Sequence, residues 1–271
     1  MDSRLQFISE CDSKQFRNED SKEQQVEDIE QDNRRSKTSK VRGLNLDDEV
    51  KLPIVFHERE IMENIENNIV SIVCGETGSG KSTQIPKFIY KASQENRWKF
   101  RCSQTSKNEE KGLKKIMIGI TQPRRVAAVS LAKRVSEELK TDLGKEVGYQ
   151  IRYDAEFFDA KKTQVKFMTD GILLKEIESD FLLRHYSVII IDEAHERSLN
   201  SDILISLLTR IAHARCDLAY KERQEGKFET FPLRIVIMSA TLRVKDFQEN
   251  KRLFPKSLYE KVPNVVKVEA R

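Results

Sequence analysis

The segment Gly75-Glu76-Thr77-Gly78-Ser79-Gly80-Lys81-Ser82 constrains the fold of this chain more than any other stretch. It fills the pattern GxxxxGK[ST] completely and joins two stretches of different periodicity. Residues 69–74 are a short apolar run of the kind that forms a buried strand. Residues 82–92 carry the 3.6-residue spacing of an amphipathic helix. A strand, a glycine-rich turn and a helix in that order aim backbone amides and a helix N-terminus at an anion, which makes a phosphate site. Gly75, Gly78 and Gly80 allow the tight curl, with Glu76, Thr77 and Ser79 between them. Lys81 can reach the outer phosphates and the Ser82 hydroxyl can ligate Mg²⁺, with Thr83 following into the helix. Lys81 is expected to project into an open site. A nucleotide with Mg²⁺ is the ligand these residues imply.

The rest of the chain repeats the same alternation. Apolar runs at residues 116–121, 165–168, 188–191 and 234–238 read as strands, and residues 58–67, 125–140, 172–183 and 202–211 as amphipathic helices. The expected fold is α/β, with a mostly parallel sheet flanked by helices. Residues 216–230 read as a polar surface loop. Residues 94–115 interrupt the rhythm with seven Lys/Arg against three Glu, around the string Arg97-Trp98-Lys99-Phe100-Arg101. Basic and aromatic residues so interleaved suit a stacked single strand of nucleic acid, or simply a solvated polar insertion. Residues 1–45 have few large apolar side chains and read as a disordered charged tail, leaving 46–271 as the folded domain. Arg34, Arg35, Lys37, Lys40 and Arg42 in that tail fit an RNA contact, a nuclear-localisation signal or an ordinary solvated segment.

A formal net charge of +4 over 271 residues is too small for a global field that would draw in nucleic acid, so any such contact must come from local patches. Cys11, Cys74, Cys102 and Cys216 form no CxxC pair and have no His at zinc-ligand spacing. A disulfide framework is not expected, and neither a signal peptide nor a membrane span is visible. The expectation is a soluble intracellular chain in a reducing compartment.

The second chemical signal is Asp192-Glu193-Ala194-His195, which follows directly on Val188-Ile189-Ile190-Ile191. A buried strand that runs into carboxylates places them at its C-terminal end, where open α/β sheets bind ligands and where the phosphate loop also lies. Asp192 can then hold Mg²⁺ directly or through water, and Glu193 can orient and deprotonate an attacking water. Ser82, Asp192 and Glu193 are the candidate residues on the metal side. His195 has no second His or Cys at ligand spacing, so its residue type alone suggests only a hydrogen-bonding role.

With these residues in hand, the chain resembles the DEAH-box family of superfamily 2 RNA helicases from about Leu52 onward. The blocks are Gly75 to Thr83; Thr121-Gln122-Pro123-Arg124-Arg125-Val126-Ala127-Ala128; Val147-Gly148-Tyr149-Gln150-Ile151-Arg152-Tyr153; Thr169-Asp170-Gly171; Asp192 to His195 with Glu196-Arg197; and Ser239-Ala240-Thr241. The resemblance implies a RecA-like P-loop NTPase domain that uses ATP and Mg²⁺ to move along or remodel RNA. It implies Lys81, Asp192, Glu193 and His195 as the catalytic set. Arg134 would stack on adenine, and Arg125, Arg152, Thr169 and Gly171 would contact the RNA backbone, which positions a strand without reading its bases. Ser239 and Thr241 would couple the nucleotide site to RNA movement.

Two stretches resemble more narrowly a nucleolar branch of the family that matures the small ribosomal subunit. They are Phe167-Met168-Thr169-Asp170-Gly171-Ile172-Leu173-Leu174-Lys175-Glu176-Ile177 and the segment from Ser239 through Phe247, with Glu249 to Phe254. That likeness implies pre-ribosomal or small nucleolar RNA as partner, a protein activator, and a nucleolar location. In the family a second RecA-like domain with arginine fingers follows, and then further C-terminal modules. These are not expected here, so the chain reads as a fragment or truncated form that hydrolyses ATP very slowly by itself. A helicase acting on DNA and a catalytically weak nucleotide- or RNA-binding module remain as alternatives.

Overall fold

The computed structural model describes residues 52–95, 116–156, 163–227, 229–240, 250, 253–254 and 263–269. The tail 1–45, the insertion from residue 96 to 115 and Thr241 lie outside the described residues. The compact unit is Pro53–Arg271.

The chain enters through a short 3-10 turn, Pro53–His57, and helix α1, Glu58–Asn67. Then follow β1 Val70–Gly75, α2 Lys81–Gln94, β2 Ile118–Gln122, α3 Arg125–Leu139, β3 Val147–Ile151, β4 Asp154–Glu156, β5 Val165–Thr169 and α4 Asp170–Ser179. The last elements are β6 Val188–Ile191, α5 Leu199–Gln224, β7 Arg234–Ser239 and β8 Asn264–Val268. One eight-stranded sheet has the order β4-β3-β5-β2-β6-β7-β1-β8, and every pairing but β3 with β4 is parallel. A parallel strand needs a crossover, and here most crossovers are helices that cover the sheet. The expected RecA-like architecture is the one observed.

The inner strands β1, β2, β6 and β7 are buried along their whole length. This is why they read as continuous apolar runs rather than alternating ones. Successive side chains still point to opposite faces. Ile189 and Ile191 join a core cluster with Leu173 and Ile177 of α4 and with Leu204, Leu208 and Ile211 of α5. Val188 and Ile190, equally buried, face the other way. In a further layer α1 packs on α2, and α2 on α3, with α3 against β3 and β5.

Gly119 in the middle of β2 is fixed by packing. A Cβ there would lie 2.7 Å from Ile189 Cδ1 and 2.8 Å from Tyr186 Cε1. Overpacking of this kind costs about 1–3 kcal/mol. Gly119→Val is expected to lower the unfolding free energy by that amount, read as a lower urea midpoint with an unchanged m-value; an unaltered midpoint would show that Ile189 and Tyr186 move aside freely.

The structure corrects two expectations. Residues 216–230 are not a loop throughout, because α5 continues to Gln224 as a 26-residue helix. Its last turns bury Cys216 and Ala219 while their neighbours are polar, so the apolar stripe thins there. Ala, Lys, Glu, Arg and Gln still favour the helix, and Glu222 anchors the following loop by accepting from Thr230 N and Thr230 Oγ1, both at 2.7 Å. The helix expected at 172–183 starts earlier, at Asp170, and ends at Ser179. Leu183 is buried at helical spacing but sits in a turn with φ of 48°. Strands β3, β4 and β8 had no separate signal in the sequence reading.

Candidate functional site at the strand ends

Because the strands that carry the motifs are parallel, their C-terminal ends lie along one edge of the sheet. β1 ends at Gly75 and the loop turns through Gly78 and Gly80, with φ of 86° and 95°. A side chain is disfavoured at both values. Gly75 is tight for another reason, since a Cβ there would lie 2.9 Å from Val268 Cβ of β8. The Ser79 amide donates to Glu76 O at 3.2 Å, which closes the turn.

Lys81 does not project into open space as expected. It is buried, and its ammonium donates to Gly75 O at 2.6 Å, Glu76 O at 2.8 Å and Ser79 Oγ at 3.1 Å. Burial lowers its pKa, while the charges of Asp192 and Glu193 act in the opposite direction. Just below the loop, burial pushes the Cys74 thiol up to about 11, so it stays neutral and unreactive at physiological pH.

The register of β2 and β6 builds the carboxylate side. Thr121 pairs with Ile191, so the next residues, Gln122 at the end of β2 and Asp192 just past β6, lie side by side. The Gln122 amide donates to Asp192 Oδ2, and the Glu193 backbone N–H donates to Asp192 Oδ1 at 2.8 Å. The Ser82 hydroxyl lies near enough to the Asp192 carboxylate to favour its ionised form. Burial raises the Asp192 pKa against these bonds. Glu193 has φ of 52°, a left-handed conformation that costs a non-glycine residue about 1–2 kcal/mol. Its carboxyl is pushed up, first by burial and then by the Asp192 charge.

The Ser82 and Asp192 oxygens are the hard donors Mg²⁺ prefers, and such a site is completed by substrate phosphates and water rather than a cage of protein ligands. Among the described residues no group of three or more His, Cys, Asp or Glu side chains is arranged to hold a metal ion. The donor set fits the ion.

His195 has a definite partner. The Ala240 backbone N–H donates to His195 Nδ1 at 3.1 Å. A backbone amide can only donate, so Nδ1 is unprotonated there and Nε2 carries the proton of the neutral ring. The 3.4 Å approach of Nδ1 to Glu193 Oε2 is therefore not a hydrogen bond in this state. The bond ties the loop after β6 to the end of β7, where Ser239 is buried.

The four candidate backbone-contacting residues follow a different set of strands. Arg125 opens α3 after β2, Arg152 lies in the β3–β4 turn, and Thr169 and Gly171 end β5 and begin α4. β3, β5 and β2 are consecutive in the sheet, so these residues occupy one half of the edge, while β6, β7 and β1 hold the other. Arg125 and Arg152 are exposed. Asp170 is buried between the halves and accepts from Ser201 Oγ at 2.6 Å and Ser198 Oγ at 3.3 Å. Arg124 reaches Glu196 at 2.9 Å. Arg134 is exposed on α3, where its Nε donates to Glu138 Oε1 at 2.9 Å. Glu138 also accepts from Lys87 and Gln84 of α2, and these bonds hold its carboxyl low although burial opposes them.

Sequence reading singled out neither Gln122 as a partner of Asp192, nor Ala240, Ser198 or Glu138. Gln122 and Ala240 stood inside the quoted family blocks without a role of their own, and Ser198 and Glu138 left no signal.

A P-loop beside Ser, Asp and Glu at the C-terminal edge of a parallel sheet is the arrangement of a P-loop nucleotide-binding domain. The model of the DEAD/DEAH box helicase family matches residues 57–249, and the chain belongs to that family. It is 48% identical over 229 residues to ATP-dependent RNA helicase DEAH13 of Arabidopsis thaliana, a match covering 81% of this chain and 17% of that protein. It is 50% identical over 223 residues to the probable ATP-dependent RNA helicase DHR1 of Saccharomyces cerevisiae, covering 82% and 16%. To the probable ATP-dependent RNA helicase DHX37 of Homo sapiens it is 46% identical over 225 residues, covering 83% and 16%. The chain thus spans about a sixth of the length of these relatives.

Proposed function

We propose that Pro53–Arg271 is the first motor domain of an ATP-dependent RNA helicase, binding ATP with Mg²⁺ on one half of the sheet edge and an RNA backbone on the other. The observation that carries this reading is the meeting of the phosphate loop and the motif carboxylates: Ser82 and Lys81 both lie near enough to the buried Asp192 to favour its ionised form, and Lys81 also lies in the field of Glu193. Lys81 and the loop amides hold the phosphates, and Ser82 and Asp192 hold the metal. Bound there, Mg²⁺ would neutralise charge on the phosphate oxygens. Glu193, its affinity for a proton raised by burial, orients the attacking water and accepts its proton. His195 carries the state of this loop to Ala240 and the segment that includes Ser239 and Thr241. Arg134 lies against the adenine, and Arg125, Arg152, Thr169 and Gly171 hold the RNA phosphates.

The likeness of residues 167–177 and 239–254 to the nucleolar branch supports a role in ribosomal RNA processing, on pre-ribosomal or small nucleolar RNA with a protein activator, in the nucleolus. Among the described residues no helix is long and apolar enough to cross a membrane.

Lys81→Ala tests the nucleotide site. Mg-ADP at about 100 times its dissociation constant should stabilise the wild-type chain by about 2.7 kcal/mol, several degrees in Tm for a domain of this size. The variant should lose that shift. Because Lys81 also satisfies two loop carbonyls, its ligand-free Tm should fall slightly as well. A full Mg-ADP shift in the variant would remove the phosphate-loop assignment.

A further inference from the structure

The turn between β3 and β4 shows a feature that neither packing nor the nucleotide site explains. The last paired residues are Ile151 and Asp154, so Arg152 and Tyr153 alone make the loop. Two-residue hairpin loops place glycine or asparagine where φ is positive. Here that position holds a tyrosine, with φ of 70°. The strained backbone sets the ring in solvent, 86% exposed, the highest value among the large exposed hydrophobic residues described. The Arg152 guanidinium lies 4.8 Å from the ring centroid and covers one face. Strain of this kind persists where the surroundings over-determine it, and it gathers at ligand sites. A solvent-exposed hairpin tip has no need of it for folding.

The position of the turn selects the ligand. β3 runs parallel to β5 with Gln150 opposite Met168, so the turn lies just past the strand ends, on the side of Thr169 and Gly171. Gly171 adds an open approach, because a Cβ there would meet nothing within 4 Å. The neighbouring groups offered to a ligand are thus two exposed guanidinium groups, Arg125 and Arg152, and the N-terminus of α4. An aromatic face beside cations and amides matches a base attached to a phosphodiester. The nearby carboxylate of Asp154 is engaged, accepting from the Tyr149 hydroxyl at 3.1 Å.

We propose that Tyr153 is a base-stacking platform: its open face takes one unpaired nucleobase of the single strand whose phosphates pass Arg125, Arg152 and the Thr169–Gly171 turn. This rests on the RNA-binding reading above and adds a subsite to it. The cation on the opposite face steadies the ring and strengthens the stack. Since every base has a π face, the subsite adds affinity without choosing sequence.

The test uses the 271-residue chain and an unstructured single-stranded RNA containing 2-aminopurine, read by anisotropy and by quenching of the reporter base. Tyr153→Ala and Tyr153→Gly should weaken binding by about 5- to 150-fold, the range that corresponds to one stacked base, and should abolish quenching. Tyr153→Phe and Tyr153→Trp should keep both. The dependence of affinity on salt should stay the same in all four, because the ring neutralises no phosphate, whereas Arg125→Ala should flatten it. Tyr153→Gly should also raise Tm, since glycine relieves the strain of a positive φ. Unchanged affinity and quenching in Tyr153→Ala, with weakened binding in Arg125→Ala, would overturn the stacking subsite and leave the RNA reading standing. A lower Tm in Tyr153→Gly would make the ring a structural element and overturn it too. Wild-type chain that binds no RNA would overturn the RNA reading itself, and the subsite with it.

Discussion

Glu193→Gln should slow ATP hydrolysis by about 10²–10⁴-fold, the usual contribution of a positioned general base, while nucleotide still binds. Gln keeps the size and hydrogen-bonding reach of the side chain but cannot accept the proton of the attacking water. The Lys81 ammonium, the loop amides, Ser82 and Asp192 are untouched, so the Mg-ADP shift in Tm should persist. The variant should also be more stable than wild type at neutral pH. Burial and the Asp192 charge raise the Glu193 pKa in the folded chain. A group with a raised folded pKa binds protons more tightly when folded, so its contribution is present below the unfolded pKa and is lost as pH rises through the folded one. At neutral pH wild type therefore carries an unfavourable ionised carboxylate that Gln does not. The same shift places the acid limb of the hydrolysis profile above the ordinary glutamate range. Phosphate release in single-turnover experiments and Tm measured against pH decide the matter. Hydrolysis within a few-fold of wild type would assign the base elsewhere.

Arg215→Met should destabilise the domain by about 3–5 kcal/mol, which corresponds to roughly 6–20 °C in Tm for a unit of this size. Arg215 lies on α5 with no exposed surface. Its guanidinium donates to Phe231 O through Nε at 3.0 Å and Nη2 at 2.7 Å, and through Nη1 to Leu183 O at 3.0 Å and Tyr186 O at 2.7 Å. These carbonyls belong to the segments that lead into β6 and β7. One side chain thus satisfies the buried loop backbone at the entry to the two strands whose far ends carry Asp192 and Ser239. Methionine fills the space but forfeits all four of these buried hydrogen bonds, and Leu183 O keeps only the Tyr186 amide, at 3.0 Å. Arg215→Lys should be nearly as damaging, because an ammonium cannot reproduce the planar fork. A variant with wild-type Tm would show that water replaces the guanidinium at little cost.

Most of the chemistry was legible before the fold because it lies in contiguous strings. Gly75 to Ser82 and Asp192 to His195 each sit immediately after an apolar run, and a run that ends in functional residues fixes both the element and the edge where they emerge. The helix at 58–67 was legible for a similar reason, since Ile61 and Ile65 mark one face and both are buried. The second half of α5 was not, because Arg215 takes a core position and a charged residue breaks an apolar stripe in the sequence even where it is fully buried. Lys81 was misjudged in the opposite sense. Its residue type suggested an open ammonium, but the carbonyls of its own loop lie within reach and bury it.

The sequence by itself determined the kind of fold, the phosphate loop, the carboxylate pair and the five strands β1, β2, β5, β6 and β7, because each rests on local periodicity or on neighbours in the chain. Only the tertiary structure decided the order of those strands. That order separates the ends of β3, β5 and β2 from those of β6, β7 and β1, and so divides one edge into two halves. It also put Gln122 beside Asp192, 70 positions away, and joined His195 to Ala240 across 45. Contacts between residues so distant in the chain follow from strand order and register, and these are set by how the whole sheet buries its two faces rather than by any segment alone.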